Sequence, residues 1–563
     1  MSAADVSLPP TWWTRRRVVI AAAAAAAVGA CAFLYRFNTL GGSLGGFDND
    51  HFVRLARADM LLQGQQPLRD FVDAELRGAW PALTYASSAW AQQAFGRTLL
   101  SEAYLMAILM TIAYVIVFLL ALDLSKRWSF ATLATAVAIA TTPKLHNYPK
   151  VLMLAAGVWA LRAVVMQPSV PRLGAAALVT AAATLFRHDY GVYVAVGIIV
   201  ALVARDIERW PVAARTVGIY TALTAACLVP SAIWVQTYGG IPGYLRNALV
   251  TVAAERTRTP LDLPPFDLSS LLASEGMELV SYYAFWAVPL VAGAALVALL
   301  RGSKGHGLST HERATAIGLL AMAVVVNRFF LRANLAARFG DAVVPVVLLA
   351  AWVVGAAAAS RSAAIRIPMT IAPVALLVPM FGAAYVYSEV GHELDTSGLS
   401  DSWAKTVRRF HAVNEDLGRL PPAVWSDEDA TGMLVAARYI AECTSPSDHL
   451  LALGPIHEIP VYARRLFAAG QAPFKLSLYL SEADQRRAVA RIERQSVPIV
   501  LADAADFEDG FASDYPLVAR YVAEHYVEAS PILVEGEPRL RVFVETRRKP
   551  VRMDPHLGLP CFR

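Results

Sequence analysis

The stretch EAYLMAILMTIAYVIVFLLAL, residues 102–122, carries one charged side chain, at its first position, and is otherwise almost wholly apolar. A helix needs about 20 mostly apolar residues to cross a bilayer. We therefore interpret this stretch as a membrane-spanning helix, and comparable runs recur along the chain. Eleven are recognised, at residues 18–36, 102–122, 129–142, 151–166, 173–186, 192–204, 216–235, 281–300, 314–330, 342–359 and 367–386.

Composition points to the same class of protein. Of the 563 residues, 56% are hydrophobic and 17% are charged, and the mean hydropathy is +0.45. Soluble domains carry roughly 25% charged residues. A chain this apolar cannot cover itself with polar surface in water, which excludes a soluble enzyme, a disordered protein and a nucleic-acid-binding protein. The 50 basic and 45 acidic residues nearly balance, so the net charge of +5 gives little guidance.

The placement of lysine and arginine predicts the orientation, because cytoplasmic loops are enriched in both residues. Three arginines at positions 15–17 precede the first run and place the N-terminus in the cytoplasm. Every second connection after that run is basic as well. The residues concerned are Lys126 and Arg127, then Arg172, then Arg205, Arg209 and Arg215, then Arg301, Lys304 and Arg313, and finally Arg361 and Arg366. The eleventh run then ends on the outer side of the membrane.

Two domains are expected. Residues 1–389 form the transmembrane domain, with long outer loops at 37–101 and 236–280, and residues 390–563 form an outer domain. We call residues 390–563 the tail. Segments with helical periodicity alternate there with short apolar segments typical of strands, which favours a mixed α/β sheet. We predict helices at 429–442 and 482–495, strands at 449–453 and 498–502, and a hairpin of 532–534 with 540–545. The fold class is thus an α-helical polytopic membrane protein of about eleven spans with a small C-terminal extracytoplasmic α/β domain.

Four cysteines are too few and too scattered to predict a zinc site. Cys443 and Cys561 both fall in the outer domain, where a disulfide can persist. The sequence alone does not decide between a disulfide and two free buried thiols.

The first outer loop holds the candidate catalytic residues. Asp48 and Asp50 flank an asparagine directly after the first span, and Asp50 is placed to cap a helix that runs to about Leu62. Arg57 lies about two turns along the same helix face. The alternative to a catalytic role is a structural one, in which these acidic residues form a helix cap and an Asx turn. Two carboxylates at this spacing could also share Mg²⁺ or Mn²⁺, although no metal is required.

The other outer connections are short and basic, against the orientation rule. Ionisable residues at membrane depth are costly and tend to mark substrate paths. Fixed cations at the outer surface suit a phosphate group, whereas snorkelling at helix ends is the alternative for any one of them. The candidate phosphate ligands are Lys144, Lys150, Arg187, Arg332 and Arg338, together with Arg57. His51, His146 and His188 are expected to be turn or interface residues.

Several short motifs carry a family resemblance. They are Asp48-Asn-Asp50, Met60-Leu-Leu-Gln-Gly-Gln-Gln-Pro67, Trp80-Pro-Ala-Leu-Thr-Tyr85, Ala94-Phe-Gly96 and Arg187-His-Asp-Tyr-Gly191. With the span count, the orientation and the outer tail, the chain resembles the GT-C superfamily of polytopic glycosyltransferases, in particular the bacterial family that includes aminoarabinose transferases and is related to protein O-mannosyltransferases. Asp50 matches the first residue of that family's Asp-Glu signature, and His51 stands in place of the Glu.

The resemblance implies a reaction and its partners. Such enzymes move a sugar from a polyprenyl-phosphate-linked donor to a lipid, glycan or protein acceptor at the outer face of the bacterial cytoplasmic (inner) membrane. It implies Asp50 as general base, Asp48 as its support, and the cations named above as ligands of the donor phosphate. No cofactor is required, and a divalent cation is an additional candidate.

Two other functions fit a polytopic chain with an outer domain. One is a transporter or flippase of lipid-linked sugars, which would move the lipid without forming a product. The other is a non-catalytic membrane assembly protein, which the missing Glu of the signature keeps open.

Overall fold

The computed structural model describes residues 12–41, 47, 49–71, 82–141, 145–258, 274–302, 308–328, 336–360, 362–419, 432–470, 474, 481–508, 510–534 and 536–563. The structure describes only the backbone of residues 49–50, 250–258, 274–278, 302, 336–337, 359 and 508.

Helices dominate the first two thirds of the chain. They are α1 (Arg15–Asn38), α2 (Asn49–Leu62), α3 (Ala82–Phe95), α4 (Leu99–Ser125), α5 (Trp128–Ala140), α6 (Tyr148–Met166), α7 (Val170–Phe186), α8 (His188–Arg205), α9 (Trp210–Tyr238), α10 (Ile241–Arg258), α11 (Ser274–Gly302), α12 (Thr310–Val326), α13 (Ala336–Ala359) and α14 (Ala363–Tyr387).

Each of the eleven predicted runs coincides with one of these helices over most of its length. Among the described residues, eight helices are long and apolar enough to cross a membrane, and α5 and α7 are apolar but shorter. The chain is a multi-pass membrane protein. Two predicted ends were too late, because α5 ends at Ala140 and α12 ends at Val326. The second long outer loop contains α10 (Ile241–Arg258).

The tail follows with α15 (Val390–Ser397), α16 (Trp403–Gly418), α17 (Met433–Cys443), β1 (His449–Leu453), α18 (Glu458–Ala463), β2 (Leu466–Phe467), α19 (Glu482–Ile492), β3 (Ile499–Asp503), α20 (Ala504–Glu508), α21 (Phe511–Asp514), α22 (Pro516–His525), β4 (Tyr526–Glu528), β5 (Ile532–Val534), β6 (Glu537–Glu545), β7 (Arg552–Met553) and β8 (Pro560–Cys561).

Contacts between residues group the chain into two compact units. The first unit combines Met1–Thr39, Met106–Leu228 and Thr259–Val407, and the second combines Leu40–Leu105, Val229–Arg258 and Arg408–Arg563. The first outer loop therefore belongs to the same unit as most of the tail.

In the first unit, α8 and α12 approach closely through glycines. A Cβ atom on Gly318 would lie 2.6 Å from the backbone oxygen of Gly197 and 2.5 Å from the Cβ of Ala201. Real Cβ atoms do not come this near to backbone. Small residues at a helix interface allow such an approach in membranes, where dispersion contacts drive helix association.

We expect Gly318→Ala to destabilise the protein, by about 1–3 kcal/mol for overpacking. Gly218 on α9 is the matched control, because a Cβ there meets no described atom within 4 Å. Gly218→Ala should be neutral or stabilising, since alanine is the better helix former. Thermal unfolding of the two variants in detergent compares them, and equal unfolding temperatures would contradict the packing account.

The sheet of the second unit is mixed, as the sequence predicted. Its strand order is β2-β1-β3-β6-β4, with β5 paired to β6. Strand β1 pairs in parallel with β2 and β3, whereas β6 is antiparallel to β3, β4 and β5. All five residues of β3 are buried, which explains the apolar sequence of its first four residues, 499–502.

Most predicted tail elements are confirmed, with small corrections. The strand predicted at 449–453 matches β1, that at 498–502 is β3, shifted by one residue, and the hairpin is β5 with β6. The helix predicted to reach 495 ends at Ile492. Residues 429–431 of the first predicted helix lie outside the described residues, and α17 begins at Met433.

The C-terminal residues are bonded to α17. Cys443 and Cys561 form a disulfide, which resolves the two alternatives that the sequence left open. The Tyr439 hydroxyl donates to the Pro560 backbone oxygen at 2.7 Å, and the Phe562 N–H donates to the Cys443 oxygen at 2.8 Å.

Helix α2 of the first outer loop packs in the second unit. The Phe52 ring lies 5.3 Å from the Tyr462 ring of α18, measured between centroids. The helix ends at Leu62, as predicted, and Gly64 takes a φ of 82°, a left-handed conformation that costs glycine little. The tail thus holds the helix that carries the predicted catalytic residue.

Candidate functional site

Three of the predicted phosphate ligands lie at the beginnings of helices in the first unit. Lys150 is the third residue of α6, Arg187 is the N-cap of α8, and Arg338 is the third residue of α13. The Tyr190 hydroxyl donates to the backbone oxygen of Asp341 at 3.2 Å and joins α8 to α13. We call Lys150, Arg187, Arg338, Asp189 and Asp341 the cation cluster.

Ion pairs organise the cation cluster. The Lys150 ammonium, 4% exposed, lies 2.5 Å from the Asp341 carboxylate, which is 0% exposed. The Arg187 Nε donates to both Asp189 oxygens, at 2.9 and 3.1 Å. Arg187 and Arg338 are near enough for their charges to act on Lys150. Three cations face two carboxylates, so the cation cluster keeps one surplus positive charge.

Two polar atoms of the cation cluster are buried without a hydrogen-bond partner among the described residues. They are Arg338 Nε and Asp341 Oδ1. Such atoms are rare in native proteins, and a water, an ion or a ligand can complete them. The N-terminal ends of α6, α8 and α13 add positive dipole ends and free N–H groups. The arrangement suits an anion that also carries a hydroxyl group.

Arg57 lies in the second unit, whereas the cation cluster lies in the first. Its side chain is 1% exposed, its guanidinium donates to the Val53 backbone oxygen at 3.3 Å, and it stacks over the Tyr85 ring at 5.4 Å. Arg57 therefore contributes to the packing of α2 on α3.

The acidic motif lies at the start of α2. The helix begins at Asn49, so Asp50 is in its first turn and is not the N-cap that the sequence predicted. Asp48, Lys144, Arg332 and the Asp50 side chain lie outside the described residues, and their roles stay predictions.

His51 is a buried interface residue, in line with its predicted role. Its Nε2 lies 3.0 Å from Oε1 of Glu102 at the start of α4, and the Ser88 hydroxyl of α3 donates to Glu102 Oε2 at 2.5 Å. Both His51 and Glu102 are at most 1% exposed, and the Phe47 ring stacks on His51 at 4.6 Å. This contact fixes the first turn of α2, next to Asp50.

No family model and no curated protein matches the sequence. Solved structures do match. The chain is similar to ArnT. A crystal structure of ArnT from Cupriavidus metallidurans bound to undecaprenyl phosphate is 13% identical over 94% of this chain and 98% of that one, with a TM-score of 0.46. ArnT from the same organism in the apo state is 14% identical over 94% and 97%, with a TM-score of 0.48.

At this identity and TM-score, similarity to ArnT assigns no residue a role. The roles of Lys150, Arg187 and Arg338 are therefore argued from their own geometry.

Two residues of these sites were not predicted. Glu102 is the lone acid at the head of the most apolar run, and a single ionisable residue there is itself a signal. Asp341 lies three residues after Arg338, but its pairing with Lys150 joins positions 191 apart in sequence. Only a three-dimensional contact can show that pairing.

One group of side chains in the described residues has ligand atoms near enough to share a metal, namely Cys443, Asp554 and Cys561. The two sulfur atoms are joined in the disulfide, so we assign no metal there. The Mg²⁺ or Mn²⁺ considered for Asp48 and Asp50 stays a prediction, because those carboxylates are not described.

Proposed function

We propose that the chain is a glycosyltransferase that takes a sugar from a polyprenyl-phosphate-linked donor and moves it to an acceptor hydroxyl at the outer face of the bacterial inner membrane. The observation that carries this proposal is the cation cluster, with its surplus positive charge at three helix N-termini and its two incomplete polar atoms.

The cation cluster suits the donor phosphate. Arg338 Nε is a buried donor that a phosphate oxygen would complete. Lys150 and Arg187 add charge beside it. When the sugar leaves, negative charge develops on the lipid phosphate, and fixed donors in a dry site stabilise that charge without reorganising.

The free oxygen of Asp341 suits the sugar. Asp341 Oδ1 is a buried acceptor, and a sugar hydroxyl is a donor of the right kind. A phosphate and a hydroxyl on one ligand match the two incomplete atoms together, which favours a sugar phosphate over a simple anion.

The chemical step needs a base, and Asp50 is our candidate. The acceptor oxygen forms a bond to the anomeric carbon, the bond from that carbon to the phosphate oxygen breaks, and the acceptor proton passes to the Asp50 carboxylate. Polyprenyl phosphate is the leaving group. A single displacement inverts the anomeric centre. No nucleotide is consumed, and no cofactor is needed.

The carrier lipid and the topology complete the proposal. One ArnT crystal structure contains undecaprenyl phosphate, and a polyprenyl phosphate of that class is the carrier we propose here. The acceptor is a lipid, a glycan or a protein. The N-terminus is cytoplasmic and the tail is periplasmic, as the positive-inside pattern predicts.

Membranes that contain the protein, incubated with a panel of polyprenyl-phosphate sugars, should form a glycosylated product detectable by mass spectrometry. Arg338→Gln should lower that product by about tenfold or more, since a hydrogen bond to a charged group contributes about 1.5–3 kcal/mol. Arg486→Gln, an exposed arginine of α19, is the control. Lipid flux across proteoliposomes without product would instead indicate a flippase, and an inert protein that binds a partner enzyme would indicate an assembly role.

A further inference from the structure

An open cleft lies within the second unit, where α2, the α3–α4 junction and α18 meet. The space inside it, open solvent included, is about 340 Å³. It is lined by Leu55, Asp59, Gln92, Arg97, Thr98, Leu99, Val461 and Arg464. We call it the arginine cleft. The cation cluster, in the first unit, does not contribute to it.

The charges of the arginine cleft do not balance. Arg97 forms an ion pair with Asp59, and Asp59 also accepts a hydrogen bond from the Gln63 amide at 2.8 Å. Over the part of the chain that the structure describes, no carboxylate lies within ion-pair distance of Arg464. Burial, and after it the charge of Arg464, lowers the pKa of the Arg97 guanidinium, yet arginine stays charged at any physiological pH. Among the described residues, the cleft therefore keeps one positive charge without a counterion.

The backbone adds to this charge. Helix α4 begins at Leu99, so its first N–H groups have no partner within the helix. Thr98, just before it, brings a hydroxyl group to the cleft wall. Helix α4 is also one of the apolar spans, so its first residues mark the edge of the hydrocarbon layer, where lipid phosphates lie.

Arg464 has a backbone conformation that is unfavourable for a residue with a side chain. It ends α18 with a φ of 53°, a left-handed conformation in which glycine is the least costly residue. Its side chain is exposed at the cleft, and one weak contact runs from it to the Arg97 backbone oxygen at 3.5 Å. Glycine in this position would relax the backbone and remove the whole side chain with its guanidinium.

We propose that the arginine cleft is an anion-binding site, in which the Arg464 and Arg97 guanidiniums and the start of α4 hold a phosphate group. Arginine forks match phosphate oxygens in pairs. The phosphate belongs either to a membrane lipid or to a soluble phosphorylated compound. This site is separate from the cation cluster and does not rest on the proposed glycosyltransferase function.

The test is a titration of inorganic phosphate into the full chain in phosphatidylcholine nanodiscs at constant ionic strength. Every protein carries Arg338→Gln, so that the cation cluster contributes little. We expect Arg464→Gly to weaken phosphate binding by about tenfold or more, because a charged hydrogen bond is lost. The same variant should unfold at an unchanged or higher temperature, which a merely structural role of Arg464 would not allow.

A second arm identifies the source of the phosphate. Phosphatidylglycerol in the nanodisc should abolish binding of inorganic phosphate if the natural ligand is a lipid headgroup, and should leave it intact if the ligand is soluble. Arg486→Gln removes an equal charge from the same unit and should bind as the parent protein does. Binding that survives Arg464→Gly, binding absent from the parent protein, or an equal loss with Arg486→Gln would overturn the proposal.

Discussion

Replacing Asp50 by asparagine is expected to lower sugar transfer by about 10²–10⁴-fold, the usual contribution of a positioned general base. The amide keeps the size of the side chain but cannot take a proton. Asp50 lies in the first turn of α2, whose backbone is held by the buried contact of His51 with Glu102. The variant should therefore remain folded, and the assay is the yield of glycosylated product from a polyprenyl-phosphate sugar.

Asp70→Asn is the matched control for that experiment, because it removes another carboxylate from the same outer loop. The Arg69 side chain donates hydrogen bonds to Asp70 and holds the pKa of that carboxyl below its usual value, which makes it a poor proton acceptor. Asp70→Asn should transfer sugar at close to the normal rate. If Asp50→Asn did the same, Asp50 would have no part in the chemical step.

The second large effect concerns the buried pair of Lys150 and Asp341. Either Lys150→Met or Asp341→Leu leaves an uncompensated charge inside the first unit and should cost about 3–5 kcal/mol of stability. The double variant removes both charges and should recover most of that loss, since apolar replacement of a buried pair is often neutral. Unfolding in detergent measures the three variants against the parent.

Sugar transfer separates the binding role of this pair from its structural role. The double variant should be stable and yet inactive, because the cation cluster has lost a phosphate ligand and the acceptor for the sugar hydroxyl. Lys405→Met breaks an exposed pair with Asp401 in the same unit and should cost at most about 0.5 kcal/mol. A double variant that transfers sugar normally would remove the cation cluster from the mechanism.

The helical part of the fold was largely predictable, because a bilayer demands long apolar runs whatever their neighbours are. The ends were less predictable. The run at 314–330 was extended across Asn327 and Arg328 to the phenylalanines at 329 and 330, whereas α12 ends at Val326. The tail was predictable from alternating periodicities, but the sheet order β2-β1-β3-β6-β4 depends on pairings between distant strands.

The sequence predicted which residue types form the candidate site. It did not predict which residues contact one another there. Basic residues in outer turns, against the orientation rule, led to Lys150, Arg187 and Arg338. The sequence could not show that Lys150 is neutralised by Asp341, or that Arg57 packs under Tyr85. It also could not show that His51, which stands in place of the signature's Glu, contacts the carboxylate of Glu102. Each of these contacts joins separate helices.

The bond between Cys443 and Cys561 makes the tail a reporter of the compartment in which it folds. It joins positions 118 apart in sequence, a constraint worth about 4–5 kcal/mol in the chain-entropy account. Glutathione keeps thiols reduced in the bacterial cytosol, whereas the periplasm oxidises them. A thiol-reactive mass tag, applied with and without reductant, would therefore show which side of the membrane received this end of the protein.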